Sequence, residues 1–300
     1  MYFINTADVE LTSIAENKPT QAMAKKVLKK GLPRLIDLYS KYDAEATFFY
    51  TGDIVEMEPE VVDIVKEHGH EIGCHGYTHY STTGFDIMDY NEQVEQLSFS
   101  KNIIEKVAGH ICSFRSPELR INEHTIPALE KTGFSIDSSV ASQRFDGPMS
   151  YGTSMKFNWL TSPRGPYFPS KADPFTIGNS KILEVPVSAL IFPYISTAMR
   201  ISPPIFNRLE RYLLNESKIT NNPVVFLTHP NECIYESSNN PWRSSGLMSY
   251  FRDNLRTRLK LKNLGIKAIK MIDRSLNTAK NLDFEFISMK TYKKKYLSNE

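Results

Sequence analysis

The chain has 300 residues, and 41% of them are hydrophobic, which is enough for the core of one large α/β barrel or of two ordinary domains. The 36 basic residues nearly balance the 34 acidic ones, so overall charge gives no argument for binding nucleic acid. Cys74, Cys112 and Cys233 are too few and too scattered for a disulfide framework.

The amino terminus lacks a basic region followed by an apolar one, and Asp8 and Glu10 interrupt it early. No apolar run approaches the roughly 18 residues that a membrane helix needs. These features predict a soluble, cytoplasmic protein.

The first predicted strand covers residues 2–6 and leads into two carboxylates. Asp8 and Glu10 are two positions apart, so both side chains project to one side of an extended chain. Acidic residues after a strand often only cap a turn. Two carboxylates on one face raise each other's pKa unless a cation lies close by, so the pair also indicates a cation site.

Strands and helices alternate along the chain, with no hairpin signals in its first half, which predicts parallel βα units. The further predicted strands are 46–50, 71–74, 111–114, 134–140, 182–187, 224–228 and 284–287. The predicted helices are 20–42, 59–67, 90–108, 123–132, 205–214 and a last one that ends near residue 282.

The periodicity stops between residues 141 and 180, which are rich in proline, glycine, serine and aromatic residues. Loops of this length inside a domain are usually functional, so we interpret the segment as an insertion over the site. A satellite hairpin with its own small aromatic core is the alternative. The aromatic residues are Tyr151, Phe157, Trp159, Tyr167, Phe168 and Phe175.

Two histidines follow the predicted strand 71–74. On one helical turn His75 and His79 would share a face and could bind one ion. Two imidazoles leave a metal short of ligands, so a carboxylate from elsewhere in the chain would be the third. A solvated turn with two exposed histidines is the alternative interpretation.

Functional groups in parallel α/β folds collect at the carboxyl ends of the strands. Each predicted strand that carries chemically useful residues has them at that end. The residues that this rule brings to one face are Asp8, Glu10, His75, His79, Arg115 and His229.

Three motifs together resemble the polysaccharide deacetylase (NodB-homology, carbohydrate esterase 4) superfamily. They are Gly69-His70-Glu71-Ile72-Gly73-Cys74-His75 with His79, Phe114-Arg115-Ser116-Pro117, and Leu227-Thr228-His229-Pro230. The resemblance extends over residues 2–287. It implies a single catalytic domain over residues 1–300, folded as a distorted (β/α)7 barrel, that removes an N-acyl group from an amino sugar with a divalent metal.

The resemblance also implies a role for each residue of the predicted site. The catalytic residues would be Asp8 as the base, Arg115 as the residue that orients the base, and His229 as the general acid. The metal ligands would be Glu10, His75 and His79. The metal would be zinc, with iron, cobalt and nickel as alternatives. Because the common family motif has two adjacent aspartates, the exchange of roles between Asp8 and Glu10 is also open.

The family's usual Asp-Trp motif is not evident in this chain. Asp137 lies in roughly that region and is a candidate for supporting the site. Arg120 and Glu232 are further candidates for supporting it or for contacting substrate. The stretch from Pro166 to Val187 is similar to family members associated with cell-surface glycan synthesis.

The predicted function is therefore metal-dependent removal of an acetyl or formyl group from an amino sugar. That sugar could belong to a glycan, a lipid-linked saccharide or a nucleotide-linked saccharide. Two other functions remain open: a metal-independent amidohydrolase of the allantoinase type on the same fold, and a catalytically inactive barrel that binds glycan.

A basic amphipathic segment is predicted over residues 249–270. Its arginine and lysine residues alternate with leucine, isoleucine and phenylalanine, a pattern that could rest on an anionic membrane. Peripheral contact with the inner face of the membrane would bring a lipid-linked substrate to the barrel. An ordinary barrel helix with a solvated basic face is the alternative.

Overall fold

The fold is built on a parallel sheet whose central strand is β1 (Tyr2–Val9). The computed structural model describes residues 1–16, 18–79, 84–144, 158–237, 255 and 257–298. The other strands are β2 (Thr12–Ser13), β3 (Lys18–Pro19), β4 (Ala46–Tyr50), β5 (Glu71–Cys74), β6 (Ser113–Phe114), β7 (Ile136–Asp137), β8 (Leu183–Glu184), β9 (Ala189–Leu190), β10 (Phe192–Pro193), β11 (Val224–Thr228) and β12 (Glu285–Phe286).

The sheet runs in the order β11-β1-β4-β5-β6-β7-β8, and β12 pairs with the first residues of β1. All of these pairings are parallel. Parallel neighbours need a crossover connection, which is usually a helix. The carboxyl ends of the strands therefore open on the same side of the sheet.

Residues 185–195 bring the two edges of the sheet together. The Val185 amide donates to Asp137 O at 2.8 Å beside β7, and the Ser188 amide donates to Val225 O at 3.2 Å beside β11. Further along, Ile195 bridges to Leu227 in parallel. These contacts wrap the sheet into the distorted (β/α)7 barrel that the resemblance to the superfamily implies.

The helices surround this sheet and have recognisable ends. The longest begins with a capping box, in which the Asp89 carboxylate accepts from the Glu92 amide, and ends at Gly109 with φ 81°. The helices are α1 (Gln21–Lys26), α2 (Leu32–Lys41), α3 (Gly52–Met57), α4 (Glu60–Lys66), α5 (Tyr90–Ala108), α6 (Thr125–Lys131), α7 (Ser196–Ile201), α8 (Pro203–Thr220), α9 (Ile266–Lys280) and α10 (Met289–Leu297).

Successive residues of the central strands contribute to two different apolar clusters. Phe3 belongs to the cluster that includes the helices, whereas Ile4 belongs to the cluster inside the barrel. The same alternation separates Phe48 from Phe49 in β4. Because strand side chains alternate between faces, Asp8 lies on the same side as Ile4 and points into the barrel.

The predicted helix 20–42 is continuous, but it contains a π-helical turn at Val27–Gly31 between α1 and α2. Gly31 is at a close approach, because a Cβ there would lie 2.5 Å from Pro230 O. The strands 46–50, 71–74 and 224–228 have the predicted bounds. Helices α3, α7 and α10 and the short hairpins β2–β3 and β9–β10 were not predicted.

The aromatic residues of the predicted insertion that can be described do not form a core of their own. Trp159 and Phe175 are buried 5.7 Å apart and belong to the cluster inside the barrel. The interpretation as a satellite hairpin is therefore wrong for this part of the segment. Residues 145–157 of the insertion lie outside the described part of the chain.

The basic segment predicted over 249–270 is not one continuous helix. Residues 257–260 are helical, residues 261–263 form a turn, and Asn263 and Gly265 have φ of 57° and 68°. Helix α9 then starts at Ile266, so Lys267 and Lys270 belong to a separate element. Residues 249–254 and 256 lie outside the described residues.

Within the described ranges, no helix has both the length and the apolar character to span a bilayer.

Candidate active site

The polar residues predicted to gather at the strand ends do gather at the carboxyl end of the barrel. Asp8 is the next-to-last residue of β1, and Glu10 follows that strand. His75, Arg115 and His229 each come directly after β5, β6 and β11. The rule on strand ends therefore located this cluster correctly.

Glu10, His75 and His79 form a group with the geometry of a metal site. One ligand atom from each lies within 4.8 Å of the others, and the two imidazole rings are 5.6 Å apart. Glu10 Oε2 is 3.2 Å from His79 Nε2, yet the orientation makes no hydrogen bond, so this buried oxygen has no donor among the residues that the structure describes. One carboxylate and two imidazoles suit zinc or another divalent transition metal and leave coordination positions open.

The two histidines converge through a loop rather than through the helical turn predicted from their spacing. Residues 75–79 have no regular secondary structure, and Gly76 has φ 71°. The carbonyls of Gly76 and Tyr77 accept hydrogen bonds from the Gly52 and Asp53 amides at 2.9 and 3.0 Å. The start of α3 thus holds this loop in the shape that brings the two rings together.

A backbone contact fixes the orientation of His75. Its Nδ1 lies 2.8 Å from Arg115 O, so it can donate there and leave Nε2 for the centre of the site. Burial lowers the pKa of His75 to about 4, although Asp8 acts in the opposite direction. A neutral imidazole is the form that binds a metal.

Asp8 and Arg115 form a buried ion pair beside this group. Arg115 Nη1 donates to Asp8 Oδ1 at 2.9 Å and to Thr6 Oγ1 at 2.8 Å, while its Nε and Nη2 donate to Ser138 O and Oγ at 3.0 and 2.9 Å. The guanidinium also lies 4.4 Å above the Phe49 ring. Burial alone would raise the pKa of Asp8, but Arg115, His75 and His229 together outweigh burial and lower the pKa below the usual range.

His229 has an acidic neighbour on its own turn. Its Nδ1 lies 3.8 Å from Glu232 Oε1, which is an electrostatic contact rather than a hydrogen bond. Glu232 in turn accepts hydrogen bonds from Arg200 Nη2 at 2.6 Å and Thr197 Oγ1 at 2.5 Å. Burial would raise the pKa of Glu232, but Arg200 and His229 lower it to about 2, so this carboxylate is ionised.

A cavity of about 320 Å³ joins these groups, at the lower end of the range for small-molecule sites. Its polar lining includes Asp8, Glu10, His79, His229 and Glu232, and its apolar lining includes Ile14, Pro19, Leu119, Pro193, Ile195 and Leu227. His75 and Arg115 are buried behind this lining.

Two residues predicted to support the site lie outside the cavity lining. Arg120 Nε is 2.7 Å from Asp86 Oδ1, and its Nη1 is 3.5 Å from Glu118 Oε2. The 2.7 Å contact is an ion pair without hydrogen-bond alignment. Asp137 is fully buried under the barrel rim and accepts a hydrogen bond from Ser139 Oγ at 2.5 Å. Contact with substrate stays a prediction for both.

Two further residues near this site were not predicted from the sequence. Arg200 lies in α7, and its Nη1 donates to the carbonyls of Lys260 and Lys262 at 2.7 Å each, which holds that turn against the cavity. Asp53 follows β4, and burial raises its pKa to about 6. The rule on strand ends, applied to β4, would have found Asp53. No local pattern indicates Arg200.

The fold and the site together define an α/β barrel with a candidate mononuclear metal centre at the carboxyl ends of its strands. Residues 24–136 match the family model for polysaccharide deacetylases, so the chain is similar to that superfamily over these residues.

Two curated relatives share part of the sequence. The peptidoglycan deacetylase of Helicobacter pylori is 30% identical over 116 residues, which are 38% of this chain and 39% of that protein. The peptidoglycan-N-acetylglucosamine deacetylase of Bacillus cereus is 33% identical over 103 residues, which are 34% of this chain and 46% of that protein. The aligned region thus spans less than half of either relative.

A solved structure supports the fold over nearly the whole chain. The crystal structure of a candidate polysaccharide deacetylase from Mycobacterium smegmatis superposes with a TM-score of 0.53 and 20% sequence identity. The superposition covers 93% of this chain and 92% of the other. At this identity the likeness concerns the fold alone.

Proposed function

We propose that the chain is a metal-dependent hydrolase that removes an acetyl or formyl group from the nitrogen of an amino sugar. The observation that carries this proposal is one cavity lined by Asp8, Glu10 and His79, with the partners of these residues, His75 and Arg115, buried behind the lining. A metal-binding group beside an ionised carboxylate is the arrangement that amide hydrolysis by water requires.

The donor set fits a divalent metal such as zinc, because the Glu10 oxygen without a donor and the two imidazoles face one another. When bound, such an ion would polarise the amide carbonyl and lower the pKa of a water molecule toward about 7. Iron, cobalt and nickel accept the same donors. The three residues are the proposed ligands.

Asp8 is the proposed general base. Arg115 lowers its pKa, so the carboxylate is ionised at neutral pH and can take the proton of the attacking water. The fork of Arg115, held by Ser138 and Thr6, fixes the direction of the Asp8 carboxylate. The base is therefore oriented before substrate arrives.

His229 is the proposed general acid. The amine is a poor leaving group and must be protonated as the carbon–nitrogen bond breaks, and an imidazolium can give that proton near neutral pH. Glu232, held ionised by Arg200, faces Nδ1 of His229 and favours the ring orientation that turns Nε2 away from it. We assign Glu232 as a positioning residue for His229.

The proposed substrate is an amino sugar in a glycan, a lipid-linked saccharide or a nucleotide-linked saccharide. The two curated relatives act, by their names, on peptidoglycan, which supports an N-acylated amino sugar as the substrate of this chain. Involvement in cell-surface glycan synthesis belongs to the same proposal.

We further propose that this chemistry takes place in the cytoplasm, with peripheral contact to an anionic membrane. Arg258 and Lys262 are exposed, as are the apolar side chains of Leu255 and Ile266 in the same part of the chain. Such a surface combines the charge and the apolar contacts that membrane headgroups attract.

The test is release of acetate or formate from N-acetylglucosamine oligomers and peptidoglycan strands, measured beside the metal content of the purified protein. We expect one metal per chain, loss of activity with a chelator, and recovery when zinc is returned. His79→Ala should lose both metal and activity. His110→Ala, which removes an imidazole that is 74% exposed, is the matched control and should retain both.

Two outcomes would contradict the proposal. Release that persists in metal-free protein would favour the metal-independent amidohydrolase. Stoichiometric metal without release from any acylated amino sugar would favour a binding protein.

A further inference from the structure

Two buried carboxylic acids that take no part in the proposed chemistry lie in contact behind the site. Asp137 of β7 and Glu184 of β8 are paired in register on adjacent parallel strands, and both side chains are fully buried. The two carboxyl groups are close enough for each to act on the pKa of the other. Neither one lines the cavity.

Each acid has one oxygen with a donor and one without. Asp137 Oδ1 accepts from Ser139 Oγ at 2.5 Å, and Glu184 Oε1 accepts from the Val140 amide at 3.0 Å. Asp137 Oδ2 and Glu184 Oε2 have no donor among the described residues. The oxygens left over are those that a shared proton would satisfy.

No neighbouring cation in the described chain compensates two negative charges here. The closest candidate, Arg115, directs its donors to Ser138, Thr6 and Asp8. Two ionised carboxylates in contact in a buried position repel strongly, so one of them keeps its proton.

Burial raises the pKa of both carboxyl groups, as expected for a pair that keeps one proton. Burial raises the pKa of Asp137 to about 6. Burial and then the Asp137 charge raise the pKa of Glu184 well above its usual range. The other charged or titratable groups that act on the pair are Arg115, which favours its charge, and Tyr167, whose own pKa the pair helps to raise.

The pair is joined to Arg115 through the turn 138–140. Ser139 Oγ, which donates to Asp137, accepts from the Ser116 amide at 2.8 Å, directly after Arg115. Ser138 supplies two of the acceptors for Arg115, and its Oγ donates to Val185 O at 2.8 Å. The turn that receives the guanidinium is therefore held at both ends by these hydrogen bonds.

We propose that Asp137 and Glu184 hold one proton between them and act as a positioning pair that fixes the turn 138–140, and with it Arg115 and Asp8. This proposal rests on the proposed function, because Asp8 must be oriented only if it serves as the base. The pair would support the site in place of the absent Asp-Trp motif.

Two substitutions of Glu184 separate this role from simple filling of space. Glu184→Gln keeps the shape, supplies a permanent N–H to Asp137 and retains an oxygen for the Val140 amide, so we expect kcat near the wild-type value. Glu184→Leu removes the partner and leaves Asp137 alone. We expect kcat to fall by about 10- to 100-fold with little change in KM, as misplacement of a catalytic group produces. Glu285→Gln, at an exposed strand position, is the control.

A second measurement holds even if Glu184→Leu does not fold. The infrared spectrum of the wild-type protein at neutral pH should contain the band of a buried protonated carboxylic acid, and Glu184→Gln should lack it. Because folding raises the pKa of Glu184, the unfolded chain releases this proton at a lower pH than the folded protein does. The stability contributed by the pair is then present below about pH 4.5 and is lost as pH rises above it. Glu184→Gln should therefore gain stability relative to wild type as pH rises.

Three results would overturn the proposal: equal loss of kcat in Glu184→Gln and Glu184→Leu, wild-type kcat in Glu184→Leu, or no protonated carboxyl band in the wild type. The infrared and stability measurements need no substrate. Failure of the proposed function would appear instead as wild-type protein that carries the band but hydrolyses no amide.

Discussion

Asp8→Asn separates the proposed base from the proposed ligands. Asparagine has the shape of aspartate, and its oxygen can still accept the 2.9 Å hydrogen bond from Arg115 Nη1. It cannot take a proton from water. Because Asp8 is not part of the three-residue group whose ligand atoms lie within 4.8 Å, the variant should bind metal as the wild type does.

The structure sets the size of both effects. Loss of a general base should lower kcat by about 10²- to 10⁴-fold. A hydrogen bond to a charged group contributes about 1.5–3 kcal/mol, and removal of one member of a buried ion pair costs about 3–5 kcal/mol. Arg115 keeps its three bonds to Ser138 and Thr6, so we expect Asp8→Asn to cost about 1–3 kcal/mol of unfolding free energy.

The assay compares metal content, kcat and urea unfolding for Asp8→Asn, Glu10→Gln and the exposed control Asp63→Asn. Glu10→Gln should weaken metal binding, and the control should match wild type in all three measurements. If Asp8→Asn lost the metal while Glu10→Gln kept it, the roles of base and ligand would have to be exchanged. If Asp8→Asn kept full activity, the base would have to be another group.

Three further predictions concern the cavity wall, acid stability and the membrane. The Glu236 carboxylate accepts hydrogen bonds from Ser13 Oγ at 2.6 Å and from the Ile14 amide at 3.1 Å, and so holds the β2–β3 hairpin, which forms part of the cavity wall. Glu236→Ala should therefore raise KM more than it lowers kcat. An unchanged KM would refute this prediction. Burial lowers the pKa of His70 from 6.5 to about 4, so the unfolded chain binds more protons in that interval and stability falls as pH drops through it. His70→Phe should reduce this loss of unfolding free energy by about 1–2 kcal/mol, a value discounted because His70 is partly exposed. Acid unfolding profiles that are the same for His70→Phe and wild type would contradict the prediction. The protein should co-sediment with liposomes that carry anionic headgroups at low salt. Neutral substitutions of the lysines and arginines in 249–270 should abolish this binding. Binding that persists in the neutralised variant would contradict the membrane proposal.

Local patterns were enough to predict the parts of the site that strand ends determine. Apolar runs marked β4, β5 and β11 with their correct bounds, and a parallel sheet brings the residues after such strands to one edge. The spacing of His75 and His79 correctly indicated that the two rings lie close together, but for the wrong local reason. Gly76 adopts a positive φ that ends any helix there, and hydrogen bonds from α3 shape the loop instead.

Contacts between distant segments could not be predicted in this way. The pairing of Asp137 with Glu184 depends on the register of β7 and β8, which no local pattern reports. The one signal was a glutamate inside the apolar run 182–187, since a charged residue at a buried strand position needs a partner. Arg200 reaches Glu232 from a helix 32 positions earlier, and only the folded chain brings the two together.

The central claim is that Glu10, His75 and His79 bind one divalent metal. The most direct measurement is the X-ray absorption spectrum of the zinc-loaded protein at the metal edge. We expect two imidazole nitrogens with the remaining donors oxygen, and in His79→Ala either one imidazole or no bound zinc. A zinc site with cysteine sulfur ligands, or a two-imidazole spectrum that is unchanged in His79→Ala, would contradict this assignment.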